Sequence, residues 1–312
     1  MRRGAAEPPS GRIVIVHPER RAQRALARFA GATLCPIEVA ADVPDDCSGA
    51  IAIIDVELAR SRPDVRMRAA RAWIAVSGDG GAAADPAAVG ALLAAGWDHV
   101  IAHPMPLLAE ELLATAQKLL RGDCFGLDKY MAWGASISTF TLDNTIERAD
   151  AVAQLARDLV PVGLPERVGS LVSVIADELL ANAMYAAPID EAGVRFRARE
   201  PRERARGLTG KDAVTLRWAT DGRYLAIEVR DRWGSLDPAP LGARLATART
   251  TKTATGEGMG LPLAYACANQ LVLGVAPREL TEVIALLDIR YKPTELAQSA
   301  SFHAFTATSA PS

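Results

Sequence analysis

Residues 176–187 read ADELLANAMYAA, and residues 256–261 read GEGMGL. In the first stretch Glu178 and Asn182 stand four apart, so a helix presents both on one face while Leu179, Leu180 and Ala183 turn to packed neighbours. An asparagine placed so offers a neutral oxygen to a divalent cation whose other ligands are phosphates and water. A glutamate beside it can polarise an attacking hydroxyl or water. In the second stretch Gly256, Gly258 and Gly260 let the backbone approach phosphate oxygens, and Leu261 opens a helix whose free N–H groups favour an anion.

Between the two stretches, Asp231 follows the strand-like LAIEVR of 225–230 and precedes Arg232, Trp233 and Gly234. A carboxylate at such a strand end can accept from the amino group of adenine; left unpaired in a dry pocket it is costly. Ahead of the glycines, Thr250, Thr251, Lys252 and Thr253 form a polar segment in which Lys252 is the natural counter-charge to phosphate. Each signal alone has a plain structural reading: a wet helix face, a turn aspartate, a loop lysine. Their order and spacing carry the argument.

Outward from these motifs, apolar spacing predicts helices over 144–159 and 165–187, and strands over 214–218 and 224–230 joined by Asp221-Gly222. A helix over 261–269 and a second hairpin, 271–276 with 282–290, follow. Helices first and mostly antiparallel strands after them give an α+β sandwich. The charged stretch 195–206 (RFRAREPRERAR) reads as a solvated loop.

In these motifs the chain resembles the GHKL (Bergerat-fold) ATPases, over roughly residues 125–290. Glu178–Asn182 is similar to that family's N-box, Asp231–Gly234 to its adenine box, and Gly256–Leu261 to its second glycine box. The resemblance implies a C-terminal Bergerat ATP-binding fold, helices over a mixed, mostly antiparallel sheet, with ATP and magnesium as cofactors. It implies Asn182 on Mg, Asp231 and Gly234 at adenine, Lys252, Gly256, Gly258, Gly260 and Leu261 at the phosphates, Tyr185 nearby, and Glu178 as the catalytic carboxylate. Two departures stand out. The adenine box has a single glycine three residues after Asp231, with Trp233 narrowing the space, and Tyr185 replaces a basic or polar residue.

The first half alternates short apolar strands (12–16, 37–39, 50–55, 72–77, 99–102) with helix patterns (20–30, 86–95, 106–121). Buried Ile/Val runs separated by helices predict an α/β doubly wound parallel sheet. This part resembles a response-regulator receiver over about 11–121. By that resemblance Asp55 occupies the phosphorylated position, Ser77 the Ser/Thr position and His103 the lysine position. The acidic pair expected after the first strand is replaced by His17 and Pro18, so the magnesium site is missing. The expectation is a pseudo-receiver, not phosphorylated on Asp55, used for docking or dimerisation.

A chain of 312 residues accommodates two domains. The expected division is a disordered start 1–10, the receiver-like domain 11–122, the ATP-binding domain 123–291 and a tail 292–312. Within the tail, 301–305 (SFHAF) can dock as a strand. A net charge of −2 gives no footprint for general nucleic-acid binding. Residues 1–11 carry no apolar core of a secretory signal, and no apolar run approaches the roughly 20 residues that cross a bilayer. Cys35, Cys47, Cys124 and Cys267 are scattered, so no zinc or disulfide framework is expected.

The expected place is the cytoplasm. Of the four histidines, His17, His99, His103 and His303, none lies between Asp123 and Asn182, where a histidine kinase carries its phosphoacceptor. The short helical lead-in resembles the anti-sigma serine/threonine kinases, which implies a protein partner such as a sigma factor, an antagonist or another signalling protein. The alternative is a non-catalytic scaffold with a vestigial pocket. DNA-linked ATPase work is not expected, because no transducer domain follows.

Overall fold

The computed structural model describes residues 11–77, 83–104, 107–202, 204–248, 260–290 and 300–311. The chain divides into two compact units, Met1–Asp123 and Cys124–Ser312, of mixed α/β class.

In the first unit the strands β1 (Arg12–Val16), β2 (Ile37–Ala40), β3 (Cys47–Asp55), β4 (Ala70–Val76) and β5 (His99–Ile101) pair in the order β2-β1-β3-β4-β5, all parallel. Ile13 and Ile15 point to one face of β1, Val14 and Val16 to the other, and all four are fully buried. Both faces are therefore covered. Helices α1 (Arg20–Ala30) and α4 (Leu107–Arg121) pack together over a core of Ile13, Ile15, Leu26, Ile51, Ile53, Leu108 and Leu112. Helices α2 (Val56–Ser61) and α3 (Pro86–Ala94) form the other pair. α3 begins where Asp85 accepts the Ala87 N–H and Pro86 supplies a preset φ. α2 was not expected from the sequence.

In the second unit β6 (Ile137–Leu142) leads to α5 (Arg148–Leu159) and α6 (Glu166–Ala181). Then come β7 (Val214–Thr220), β8 (Tyr224–Asp231), α7 (Pro238–Ala248), α8 (Gly260–Cys267), β9 (Gln270–Ala276), β10 (Leu280–Asp288) and β11 (Ser301–Thr306). The sheet order is β11-β9-β10-β8-β7-β6, antiparallel throughout except that β11 runs parallel to β9. Residues 301–306 thus dock as a strand. α6 packs against α5, α8, β7 and β8. β6 and α7 were not expected.

Along β8 the side chains alternate. Leu225, Ile227, Val229 and Asp231 share one face, while Ala226, Glu228 and Arg230 share the other, which meets residues 126 and 127. Among the described residues one helix, Glu166–Ala186, is by length and composition long and apolar enough to cross a membrane, a test that buried core helices also pass. Half of that window is buried, with Val172, Ile175, Ala176, Leu179 and Leu180 in the core of the unit.

Candidate functional site

α6 brings Glu178 and Asn182 to a cavity of about 400 Å³. At Asn182 the helix widens into a π turn, Asn182–Ala186, in which the Ala187 N–H donates to the Asn182 carbonyl at 2.9 Å. Such turns recur at functional sites because they re-aim a side chain without ending the helix. Here Ala183, Met184 and Tyr185 are buried, while the half-buried Asn182 lines the cavity.

Across the cavity stand Gly260 and Leu261 at the start of α8. The Glu178 carboxylate lies against Gly260 so closely that a Cβ there would come 2.7 Å from Oε2. Glycine at 260 is what allows this approach. Tyr185 lines the same cavity, its hydroxyl donating to the Arg202 carbonyl at 3.2 Å.

Asp231 and Gly234 do not line it. Asp231 ends β8 opposite Thr281 of β10, is 3 % exposed, and accepts the Trp233 N–H at 2.8 Å. Burial pushes its carboxyl up to about 7, against the downward pull of the Trp233 N–H. Gly234 has φ +55°, and a Cβ would overlap the Ala276 carbonyl and come 2.6 Å from the amide nitrogens of Arg278 and Glu279. Its glycine is thus required by the β9–β10 turn pressed against it. The following residue ties this loop back to the helix: Ser235 Oγ donates to the Ala187 carbonyl at 2.6 Å. Lys252, Gly256 and Gly258 lie outside the described residues.

Three cavity arginines were not among the expected site residues: Arg195 and Arg202, between α6 and β7, and Arg244 of α7. The run 195–206 is not simply a solvated loop. Arg197 is 5 % exposed, donates to Asp212 at 2.6 Å, and lies 5.8 Å from the Trp233 ring centre. Arg206 forks onto both oxygens of Glu200 at 2.7 Å. A run of charges gives no sign of which member finds a partner 15 residues on.

In the first unit His17, Asp55, Ser77 and His103 gather at the carboxyl ends of the parallel strands. Asp55 caps α2 by accepting the Leu58 N–H at 2.9 Å, and its other oxygen is 3.5 Å from His17 Nε2. Burial would raise the Asp55 carboxyl, but His17 and the Leu58 N–H outweigh it and hold it below the usual range. The Glu19 N–H donates to His17 Nδ1 at 3.0 Å, which assigns the neutral ring's proton to Nε2, facing Asp55. Ser77 Oγ donates to the His103 carbonyl at 2.9 Å, and His103 Nδ1 meets the buried Glu111 at 2.9 Å.

Among the described residues no group of three or more His, Cys, Asp or Glu side chains is placed to hold a metal ion. One neutral amide oxygen, that of Asn182, suits a magnesium ion that arrives already held by phosphates. No protein-family model matches the chain, and no curated protein matches it.

Proposed function

We propose that the second unit is a Bergerat-type ATP-binding domain that takes Mg-ATP between α6 and α8. The carrying observation is the meeting of Glu178 and Asn182 with Gly260 at the α8 N-terminus around one cavity. Phosphate oxygens at that terminus would meet free N–H groups and the positive end of the helix dipole. Asn182 would ligate the magnesium ion brought by the phosphates. Glu178 would accept the proton of an attacking hydroxyl, in phosphoryl transfer to a serine or threonine of a protein partner.

The partner would be a sigma factor, its antagonist or another signalling protein, in the cytoplasm, and the first unit would serve as a pseudo-receiver that docks or dimerises. Autophosphorylation on histidine is disfavoured because all four histidines are at most 3 % exposed.

Calorimetric titration with Mg-ATP tests the reading. The parent protein should bind saturably, and Asn182→Ala and Asp231→Ala should each bind at least about tenfold more weakly. A parent protein that takes up no nucleotide ends the proposal. Transfer of labelled γ-phosphate to a partner then tests turnover.

The enclosure of Asp231, already hydrogen-bonded by Trp233, favours a second reading in which the pocket only sets the conformation of a scaffold. Saturable binding with no transfer to any partner selects it.

For the first unit, incubation with acetyl phosphate and magnesium should leave Asp55 unlabelled, since one oxygen caps α2 and the other faces His17. Stable labelling that disappears in Asp55→Asn overturns the pseudo-receiver reading.

A further inference from the structure

The segment 188–213, between the π turn and β7, is the strongest feature that the proposed function leaves unused. It contributes Arg195 and Arg202 to the cavity wall, and α7 adds Arg244. Among the described residues Glu178 is the one acidic side chain lining the cavity. Among the described residues the lining thus sets more guanidinium than carboxylate charge at the cavity, with Arg195 and Arg202 on one wall, although the whole chain has a net charge of only −2.

The segment is anchored so that these arginines are presented rather than left trailing. Asp190 Oδ1 accepts the N–H groups of Ala192 and Val194 at 3.0 and 2.8 Å, and a backbone bridge joins Ile189 to Arg195. Two residues on, Arg197 is sunk against Asp212 and between the rings of Phe196 and Trp233. Residue 202 is fixed twice to Tyr185, through its carbonyl and through its guanidinium 6.0 Å from the ring centre. Among the described residues neither Arg195 nor Arg202 pairs with a carboxylate. Both are exposed at the cavity, so their charge costs little in the absence of ligand and remains available to one.

We propose that Arg195 and Arg202 bind the polyphosphate of the ligand and set its selection by phosphate number, triphosphate over diphosphate over monophosphate. Guanidinium groups fork onto phosphate oxygens bidentately, and each added phosphate adds charge for them to read. The inference rests on the nucleotide reading for the identity of the ligand, but its anion chemistry stands on the arginines alone.

The test is calorimetry on the full chain, parent and Arg195→Gln/Arg202→Gln, with Mg-ATP, Mg-ADP, AMP and inorganic tripolyphosphate as probes. The double variant should lose about 10- to 100-fold in affinity for ATP and tripolyphosphate, from charge-assisted bonds forgone, and change less than about threefold for AMP. Its ATP affinity should also depend less on salt. Arg195→Lys/Arg202→Lys should recover part of the loss. Each single Gln variant should lose about 3- to 10-fold, which keeps the test open if the double variant misfolds.

Equal ATP affinity in parent and double variant overturns the proposal while leaving the nucleotide reading intact. Tripolyphosphate binding that the double variant loses, with no added affinity for ATP, upholds the arginines and ends the nucleotide reading. A parent that binds none of the four probes overturns both.

Discussion

Glu282→Ala should destabilise the second unit by about 3–5 kcal/mol, the range for removing one partner from a buried charge network. Glu282 is fully buried on β10. Its two oxygens accept the Gly126 N–H at 3.0 Å, and Arg230 reaches one of them at 2.6 and 2.9 Å. Beside it the equally buried Glu228 accepts the Leu127 N–H at 3.1 Å and holds Arg217 at 2.7 Å and Arg230 at 3.1 Å. Burial works against the Arg230 charge, but Glu282 and Glu228 outweigh it and raise its pKa.

Alanine at 282 strands a backbone donor and leaves Arg230 with Glu228 alone. Glu282→Gln keeps an acceptor for Gly126 but not the charge, and should cost less, about 1–3 kcal/mol. Urea denaturation of both variants checks the pair. A loss under about 1 kcal/mol in Glu282→Ala would mean that the network contributes little beyond an apolar filling.

The second large effect is one of pH. The Asp231 carboxyl is raised from 3.8 to about 7 in the folded protein. A raised pKa means that the native state holds a proton the unfolded chain gives up. The stability it contributes is therefore complete below about pH 4 and lost as pH rises through 7, about 4 kcal/mol in all. Asp231→Asn stays neutral and lacks this slope. The difference in unfolding free energy between parent and Asp231→Asn should change by about 3 kcal/mol between pH 5 and 8. A difference constant across that range would show that Asp231 is ionised when folded. In the nucleotide reading, the amino group of adenine would favour the ionised carboxylate. ATP binding near pH 7 should then release protons, seen as a binding heat that varies with the ionisation enthalpy of the buffer.

Much of the fold was legible because it is written in local pattern. The runs RIVIV and AIAIID are short, rich in β-branched residues and apolar at consecutive positions, as strands buried on both faces are, and they became β1 and most of β3. β6 was missed because ISTFTL, with Ser138 and Thr139 adjacent, neither alternates strictly nor forms an apolar run, and it sits at the sheet edge with only Leu142 buried. α7 was missed because PAPLGARLATA carries two prolines and a glycine within eight residues of its start.

At the candidate site, the four-residue spacing of Glu178 and Asn182 put both on the face that lines the cavity. The burial of Asp231 was not legible, since it depends on Thr281 and Val214, which only the sheet brings to either side of it. The same holds for Arg197, whose partners Asp212 and Trp233 are distant in sequence and adjacent in space. Local pattern gives elements and the faces of elements; it does not give what the fold presses against them.

The parallel pairing of β11 with β9 has a consequence for biosynthesis. A ribosome delivers β9 and β10 together, and they can zip at once as a hairpin. β11 lies beyond them by 25 residues from the end of β9, yet must return to the far side of β9 from β10. At about 5–20 residues per second, β9 waits on the order of seconds with an open edge. During that interval the nascent chain presents Leu271 and Leu273, later fully buried, beside unpaired backbone groups, the combination that chaperones recognise.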